Sequence, residues 1–175
     1  MYSGDTSQTH DLRISHAQYG VLLFPGDDGG GWFLATMEPP ARVGPEAIPP
    51  REYVFVLDVS ASMDEAQRKL AKSFFFFALH GIRRRYARVE SAFVAHTVNA
   101  WEFSEEQFFQ VSGSGGTVAS SAFRLVLDLL QARYDPARYN AYLFYASDGE
   151  NASDDREPAA AALGELAAKL NYAGY

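Results

Sequence analysis

The chain has 175 residues, with 15 Lys and Arg against 22 Asp and Glu, a net charge of −7, and 47% hydrophobic residues. This length and apolar content fit one globular unit with a short appendage and exclude wholesale disorder. The acidic balance argues against a nucleic-acid surface, and a Cys count of 0 excludes disulfides, thiolate metal sites and Cys nucleophiles, leaving oxygen or imidazole to hold any metal.

From the N-terminus, two strand-like runs at 19–24 and 32–37 flank Pro25-Gly26-Asp27-Asp28-Gly29-Gly30-Gly31, whose turn chemistry predicts a β-hairpin. Residues 38–50 hold five of the 8 prolines and read as an extended linker. The expected organisation is therefore a hairpin and linker over 1–50 and a domain over 51–175.

Tyr53 to Leu57 is a continuous apolar β run, as expected for a strand buried on both faces. A long helix is predicted over 64–86, with its N-cap near Ser62 or Asp64 and Arg83-Arg84-Arg85 in its last turns, where cations suit the helix dipole. Within it, Phe74-Phe75-Phe76-Phe77 reads as a stretch covered by the sheet and neighbouring helices. Residues 89–95 and 98–103 are predicted strands, an antiparallel or edge pair around His96-Thr97, with His96 read as a satisfied turn histidine ahead of the alternative that it flanks a metal. A second helix follows over 118–134, then a buried strand over 142–146 and an Ala-rich helix over 157–170. The opening of a further strand follows at 171–175. Strand–helix alternation predicts a three-layer, Rossmann-like α/β sandwich with a mostly parallel sheet and ligands at the carboxyl ends of its strands.

Three polar loops fall at those ends. Asp58-Val59-Ser60-Ala61-Ser62 follows the first core strand. Ser112-Gly113-Ser114-Gly115-Gly116-Thr117 precedes the second long helix, and Ser147-Asp148-Gly149-Glu150-Asn151 follows the 142–146 strand. Together they offer the carboxylates of Asp58 and Asp148 with the hydroxyls of Ser60, Ser62 and Thr117, a hard oxygen-only set suited to Mg²⁺, Mn²⁺ or Ca²⁺. If the neutral hydroxyls ligate directly, the ion keeps enough charge to attract an external carboxylate. Gly115 and Gly116 are expected to let the Thr117 backbone approach, and Gly149 to permit a tight turn.

The run Tyr53 to Met63, with Thr117 and Asp148-Gly149, resembles a von Willebrand factor A (VWA) domain carrying a metal-ion-dependent adhesion site. The resemblance implies Ser60, Ser62 and Thr117 as direct ligands, with Asp58 and Asp148 ligating directly or through water. Residues 64–175, including Leu70-Ala71-Lys72-Ser73-Phe74-Phe75-Phe76 and Ser114-Gly115-Gly116-Thr117-Val118-Ala119-Ser120-Ser121-Ala122, are similar to the bacterial YeaH/YhbH family. Membership would imply a cytoplasmic protein with no established enzymatic activity. Residues 17–63, including Gly31-Trp32-Phe33-Leu34-Ala35-Thr36-Met37-Glu38-Pro39-Pro40, resemble proteins joining a vault/inter-α-trypsin-inhibitor (VIT) domain to a VWA domain, which would imply export or surface linkage. The 51–175 segment is short for the six-stranded VWA sheet. Either the chain lacks its last strands, or the hairpin completes the sheet from outside.

Enzyme signatures mostly fail: position 112 is not Gly, so Ser114 forms no nucleophile elbow, and no Lys follows the Gly-rich loop to make a P-loop. The expected function is a divalent-metal-dependent protein-interaction module, not an enzyme, in which a partner's Asp or Glu completes the Mg²⁺ shell. The expected compartment is the cytoplasm, without membrane insertion. The alternatives are a metal-assisted phosphatase or hydrolase with Asp58 as nucleophile, and a metal-free structural domain.

Overall fold

The computed structural model describes residues 19–25, 31–37, 48–135 and 138–175. The chain divides into two units, Met1–Ile48 and Pro49–Tyr175. In the first, β1 (Tyr19–Pro25) and β2 (Gly31–Met37) pair antiparallel, with Tyr19 opposite Met37 and Pro25 opposite Gly31, as a two-stranded sheet of their own. The turn expected at 26–30 and the linker up to residue 47 lie outside the described residues.

The second unit holds a five-stranded sheet built on β3 (Arg51–Asp58). It pairs in parallel with β4 (Val89–His96) on one side and β6 (Asn140–Ala146) on the other. Strand β5 (Ala100–Phe103) joins β4 antiparallel, and β7 (Tyr172–Gly174) joins β6 in parallel, giving the order β5-β4-β3-β6-β7. The mostly parallel α/β sandwich expected from the alternation is the fold that forms.

The period-two alternation of β3 sorts its side chains to two faces. Tyr53, Phe55 and Leu57 pack with Phe93, Ala95, Phe75, Leu79 and Phe108, beneath α1 (Glu65–Arg85) and α2 (Glu105–Gln110). Val54 and Val56 pack with Ala92, Val94 and Leu143 against α3 (Ala119–Arg133) and α4 (Arg156–Ala167). The first face is aromatic: Phe55 stacks between Phe93 and Phe144, with ring centroids at 5.6 and 5.7 Å. Such contacts add to area burial for rings that β3 brings into register.

Helix α1 begins at Asp64, whose side chain accepts from the Gln67 amide while the Gln67 side chain returns to the Asp64 amide. That reciprocal box decides between the two N-caps the sequence offers. At its other end Arg83 pairs with Glu105 at 2.8 Å, as a cation in the last turn should find an anion. The expected cover over the four phenylalanines does not form. Phe75 is 2% exposed, but Phe74, Phe76 and Phe77 are 56%, 43% and 71% exposed. Four consecutive residues sweep most of a helical turn, so only one can face the sheet. Helix α2 escapes the periodicity because it has six residues, yet Ser104 and Gln107 form a capping box that marks its start.

One residue of β3 conflicts with its surroundings. Glu52 is fully buried in the same row as Val54 and Val56, its register partner on β4 is Glu90, and neither of its oxygens has a hydrogen-bond partner of good geometry. Burial pushes its carboxyl up to about 8, reinforced by Glu90 and Glu102 and opposed by the Arg133 charge and the Tyr134 hydroxyl. It is therefore protonated in the folded protein at neutral pH. The unfolded chain ionises near the ordinary 4.5 while the folded one keeps its proton, so stability should fall with rising pH between about 4.5 and 8 and flatten above. The slope from this group approaches about 1.4 kcal/mol per pH unit. Urea unfolding across pH 5–9 should show that decline, and Glu52→Gln, which keeps the shape without the charge, should remove it.

Candidate functional site

Strands β3 and β6 are neighbours, but the crossover from β3 through α1 runs toward β4 while that from β6 through α4 runs toward β7. The loops leaving their carboxyl ends therefore diverge to opposite faces, which opens a crevice at the sheet rim. Asp58, the last residue of β3, is fully buried there. The Val59 amide donates to the His96 carbonyl at 2.9 Å, fixing the β3 exit against the end of β4.

Both Asp58 oxygens are occupied: Oδ1 accepts from the Ser60 amide and Oδ2 from the Ser147 hydroxyl, each at 2.8 Å. Among the described residues, no Lys, Arg or His forms an ion pair with it. Ser60 is itself buried, and its Oγ lies 3.0 Å from the Ser62 Oγ, so the two hydroxyls converge beside the carboxylate. Arg68 of α1 donates to the carbonyls of Ser60 and Met63 and holds this loop from below.

The Gly-rich loop is pinned from several sides. Ala61 donates to the Gly115 carbonyl, Val118 to the Thr97 carbonyl and Ala152 to the Thr117 carbonyl, all at 2.9 Å. Thr117 is buried as a result. The close approach expected at Gly115 and Gly116 falls instead at Gly113, where an added Cβ would meet the Val59 carbonyl oxygen at 2.5 Å. Gly115 is needed for its backbone, at φ 115°, as is Gly149 in the turn after Asp148, at φ 85°.

Asp148 is exposed on the same rim, and its Oδ1 accepts from the Glu150 amide at 3.0 Å. The structure thus brings Asp58, Ser60 and Ser62 together by direct contact, ties the Thr117 loop to them through the backbone, and leaves Asp148 on the rim with its carboxylate turned to its own loop. Among the described residues, no three His, Asp or Glu side chains cluster as metal ligands, so any cation here would depend on hydroxyls and two carboxylates.

Several positioning residues escaped the sequence reading. Ser147 orients Asp58 and also accepts from the Gly149 amide at 3.1 Å. His96 is the last residue of β4 rather than a turn residue, fully buried and in register with Asp58. Its Nδ1 meets the Thr97 carbonyl at 3.3 Å and its Nε2 the Tyr145 hydroxyl at 3.2 Å. A carbonyl can only accept, so Nδ1 carries the proton, and Nε2 accepts from Tyr145. Burial pulls the His96 pKa down despite the Asp58 charge, which keeps the ring neutral, and burial likewise pushes the Tyr145 hydroxyl up.

Helix α3 has no cap of its own, because its N-cap Val118 carries no polar side chain. Two residues from the loop after β6 supply the missing acceptors. Asn151 Oδ1 accepts from the Ala119 amide at 3.0 Å, and Asp155 Oδ2 from the Ser120 amide at 2.9 Å. Burial alone would raise the Asp155 carboxyl, but hydrogen bonds from Ser120 and Asn151 and the Arg124 charge outweigh it and hold the group below its ordinary value.

The family profile described as Protein of unknown function (DUF444) matches residues 52–175, and the chain belongs to this family. A UPF0229 protein of Clostridium perfringens is 43% identical over 122 residues, covering 70% of this chain and 31% of that protein. One from Halalkalibacterium halodurans is 41% identical over 120 residues, covering 69% and 31%. The chain thus spans about a third of the length of these curated relatives. The likeness to YeaH/YhbH proteins is in this way substantiated, and it starts earlier than residue 64: β3 and the Asp58 loop fall inside the family match. Among solved structures, the pilus adhesin SpaC of Lactobacillus rhamnosus GG aligns with TM-score 0.52 at 13% identity, covering 86% of this chain and 22% of that one. BatB of Bacteroides thetaiotaomicron aligns with TM-score 0.51 at 17% identity, covering 70% and 64%. Both likenesses concern the fold alone.

Asp155→Ala should cost about 1–2 kcal/mol in urea unfolding at neutral pH, the usual worth of an N-terminal cap. A depressed carboxyl stabilises above its unfolded pKa and loses that contribution as the pH drops through the folded one. The gap between variant and parent should therefore close in acid, below the ordinary carboxylate value of 3.8.

Proposed function

We propose that the 49–175 unit is a VWA-type module whose rim binds a divalent cation, Mg²⁺ in the first instance, and through it an acidic side chain of a protein partner. The observation that carries this reading is the 3.0 Å separation of the Ser60 and Ser62 hydroxyls beside a buried carboxylate that has no ion-pair partner among the described residues. Two ligands on neighbouring corners of an octahedron, each about 2.1 Å from Mg²⁺, lie about 3.0 Å apart. The two hydroxyls, hydrogen-bonded to each other, thus stand at a spacing that a small hard cation could bridge.

The remaining groups take roles consistent with that spacing. Asp58, whose orientation the Ser60 amide and the Ser147 hydroxyl fix, would hold the cation directly or through water. Thr117 would supply a third hydroxyl from the adjoining loop, and exposed Asp148 would act from the solvent side, directly or through water. These residues would hold a divalent cation, which would supply positive charge to an incoming ligand. Neutral hydroxyls leave that charge largely uncompensated, which favours an incoming Asp or Glu. We propose binding rather than turnover at this rim.

Calorimetric titration with Mg²⁺ should give a saturable heat for the parent protein. Ser62→Ala and Asp58→Asn should lose that heat, and Ser147→Ala should weaken affinity by about tenfold, as changes behind the ligands typically do. Circular dichroism should show all three folded. Absence of heat in the parent, or parent-like binding by Asp58→Asn, would overturn the reading.

A further inference from the structure

Beside the rim, α1 and the segment after α2 enclose a groove of about 720 Å³. Its charged wall is Arg68, Lys69 and Lys72, and its apolar wall is Phe76, Phe77 and Phe109. In a chain of net charge −7 this is a local inversion of sign, and the one carboxylate on the wall is Glu65. Among the described residues, none of the three cations forms an ion pair. Arg68 and Lys72 spend hydrogen bonds on backbone carbonyls, of Ser60, Met63 and Val111, which leaves their positive charge uncompensated. Burial and the neighbouring Arg68 accordingly pull the Lys72 pKa down.

Two residues of the groove wall link it to the candidate metal site. Arg68 touches the Ser60 carbonyl at 3.3 Å, and Ser112 on the groove wall leads into the Gly113–Thr117 loop. Phe77 is 71% exposed beside these cations, although nothing in the core requires it there. Uncompensated cations next to exposed rings make a surface that recognises carboxylates interleaved with apolar side chains.

We infer that this groove seats an extended acidic segment of a partner protein, whose first carboxylate meets the cation at the rim and whose following acidic and apolar residues lie along Arg68, Lys69 and Phe77. The inference deepens the metal-dependent reading and rests on it for the first carboxylate only. A nucleic acid fits less well. Three cations are few for a polyphosphate, and the exposed Phe76 and Phe77 offer contacts to apolar side chains that a phosphate backbone lacks.

The test uses a fluorescein-labelled decapeptide of Asp, Glu and Phe, its Asn/Gln/Phe counterpart and a single-stranded oligonucleotide, read by anisotropy with Mg²⁺ or with EDTA. Lys69→Glu and Phe77→Ser change exposed side chains and keep the fold. The acidic peptide should bind better than its neutral counterpart, and Lys69→Glu should weaken it about tenfold, in Mg²⁺ and in EDTA alike. Phe77→Ser should weaken it severalfold, and Thr117→Ala should remove only the gain due to Mg²⁺. If Lys69→Glu and Phe77→Ser bind as the parent does while Mg²⁺ still matters, the groove is overturned and the metal reading stands. Binding that depends on Lys69 but ignores Mg²⁺ supports the groove and sinks the metal reading. Equal binding of the neutral peptide, no binding of either, or tighter binding of the oligonucleotide overturns the inference.

Discussion

Strand β3 is the constraint to which the rest of the second unit answers. It is hydrogen-bonded on both edges and buried on both faces, so every residue from Glu52 to Ser60 is out of water. A strand in that position must be apolar along its length, with parallel partners whose crossovers lay helices on both faces. Those crossovers deliver the Asp58, Thr97 and Ser147 ends to a single rim. The candidate functional surface is thus a by-product of how one strand is kept dry.

The same strand carries a carboxyl near each end, and the contrast between them is informative. Glu52 and Asp58 share a face and are both fully buried. Asp58 is met by an amide and a hydroxyl within 2.8 Å, while Glu52 faces Glu90 and lacks a hydrogen bond. The satisfied group sits at the rim, where an anion can recruit something from solvent. The unsatisfied one sits at the far end, where it can only hold its proton. Position along a parallel strand, rather than residue type, separates a candidate binding group from a buried acid.

Much of this was legible in the sequence because β3, α3 and β6 carry their burial in their composition: a run such as Tyr53 to Leu57 has few other uses. The Asp58, Ser60 and Ser62 loop was legible for a related reason, since three small oxygen side chains directly after an apolar strand have nowhere to go but the rim. What stayed hidden depended on contacts distant in sequence. Nothing local says that Gly113 lies against Val59, that Ser147 orients Asp58, or that Asp155 faces α3. Phe74 to Phe77 misled because composition reports how much apolar surface exists, while the helical turn dictates that only Phe75 can use it inward. Helix α2 was readable only through Ser104 and Gln107, a signal carried by its first turn rather than by periodicity.

The borrowed cap on α3 also sets an order in time. Its first amides find their acceptors 32 and 35 residues later in the chain, at Asn151 and Asp155. As the chain is synthesised, α3 is complete in sequence well before the groups that finish its first turn exist. Without the loop after β6 that turn has no side-chain acceptors for its first two amides. The Thr117 hydroxyl sits directly ahead of that turn. The rim is therefore completed only once β6 and the loop that follows it are in place.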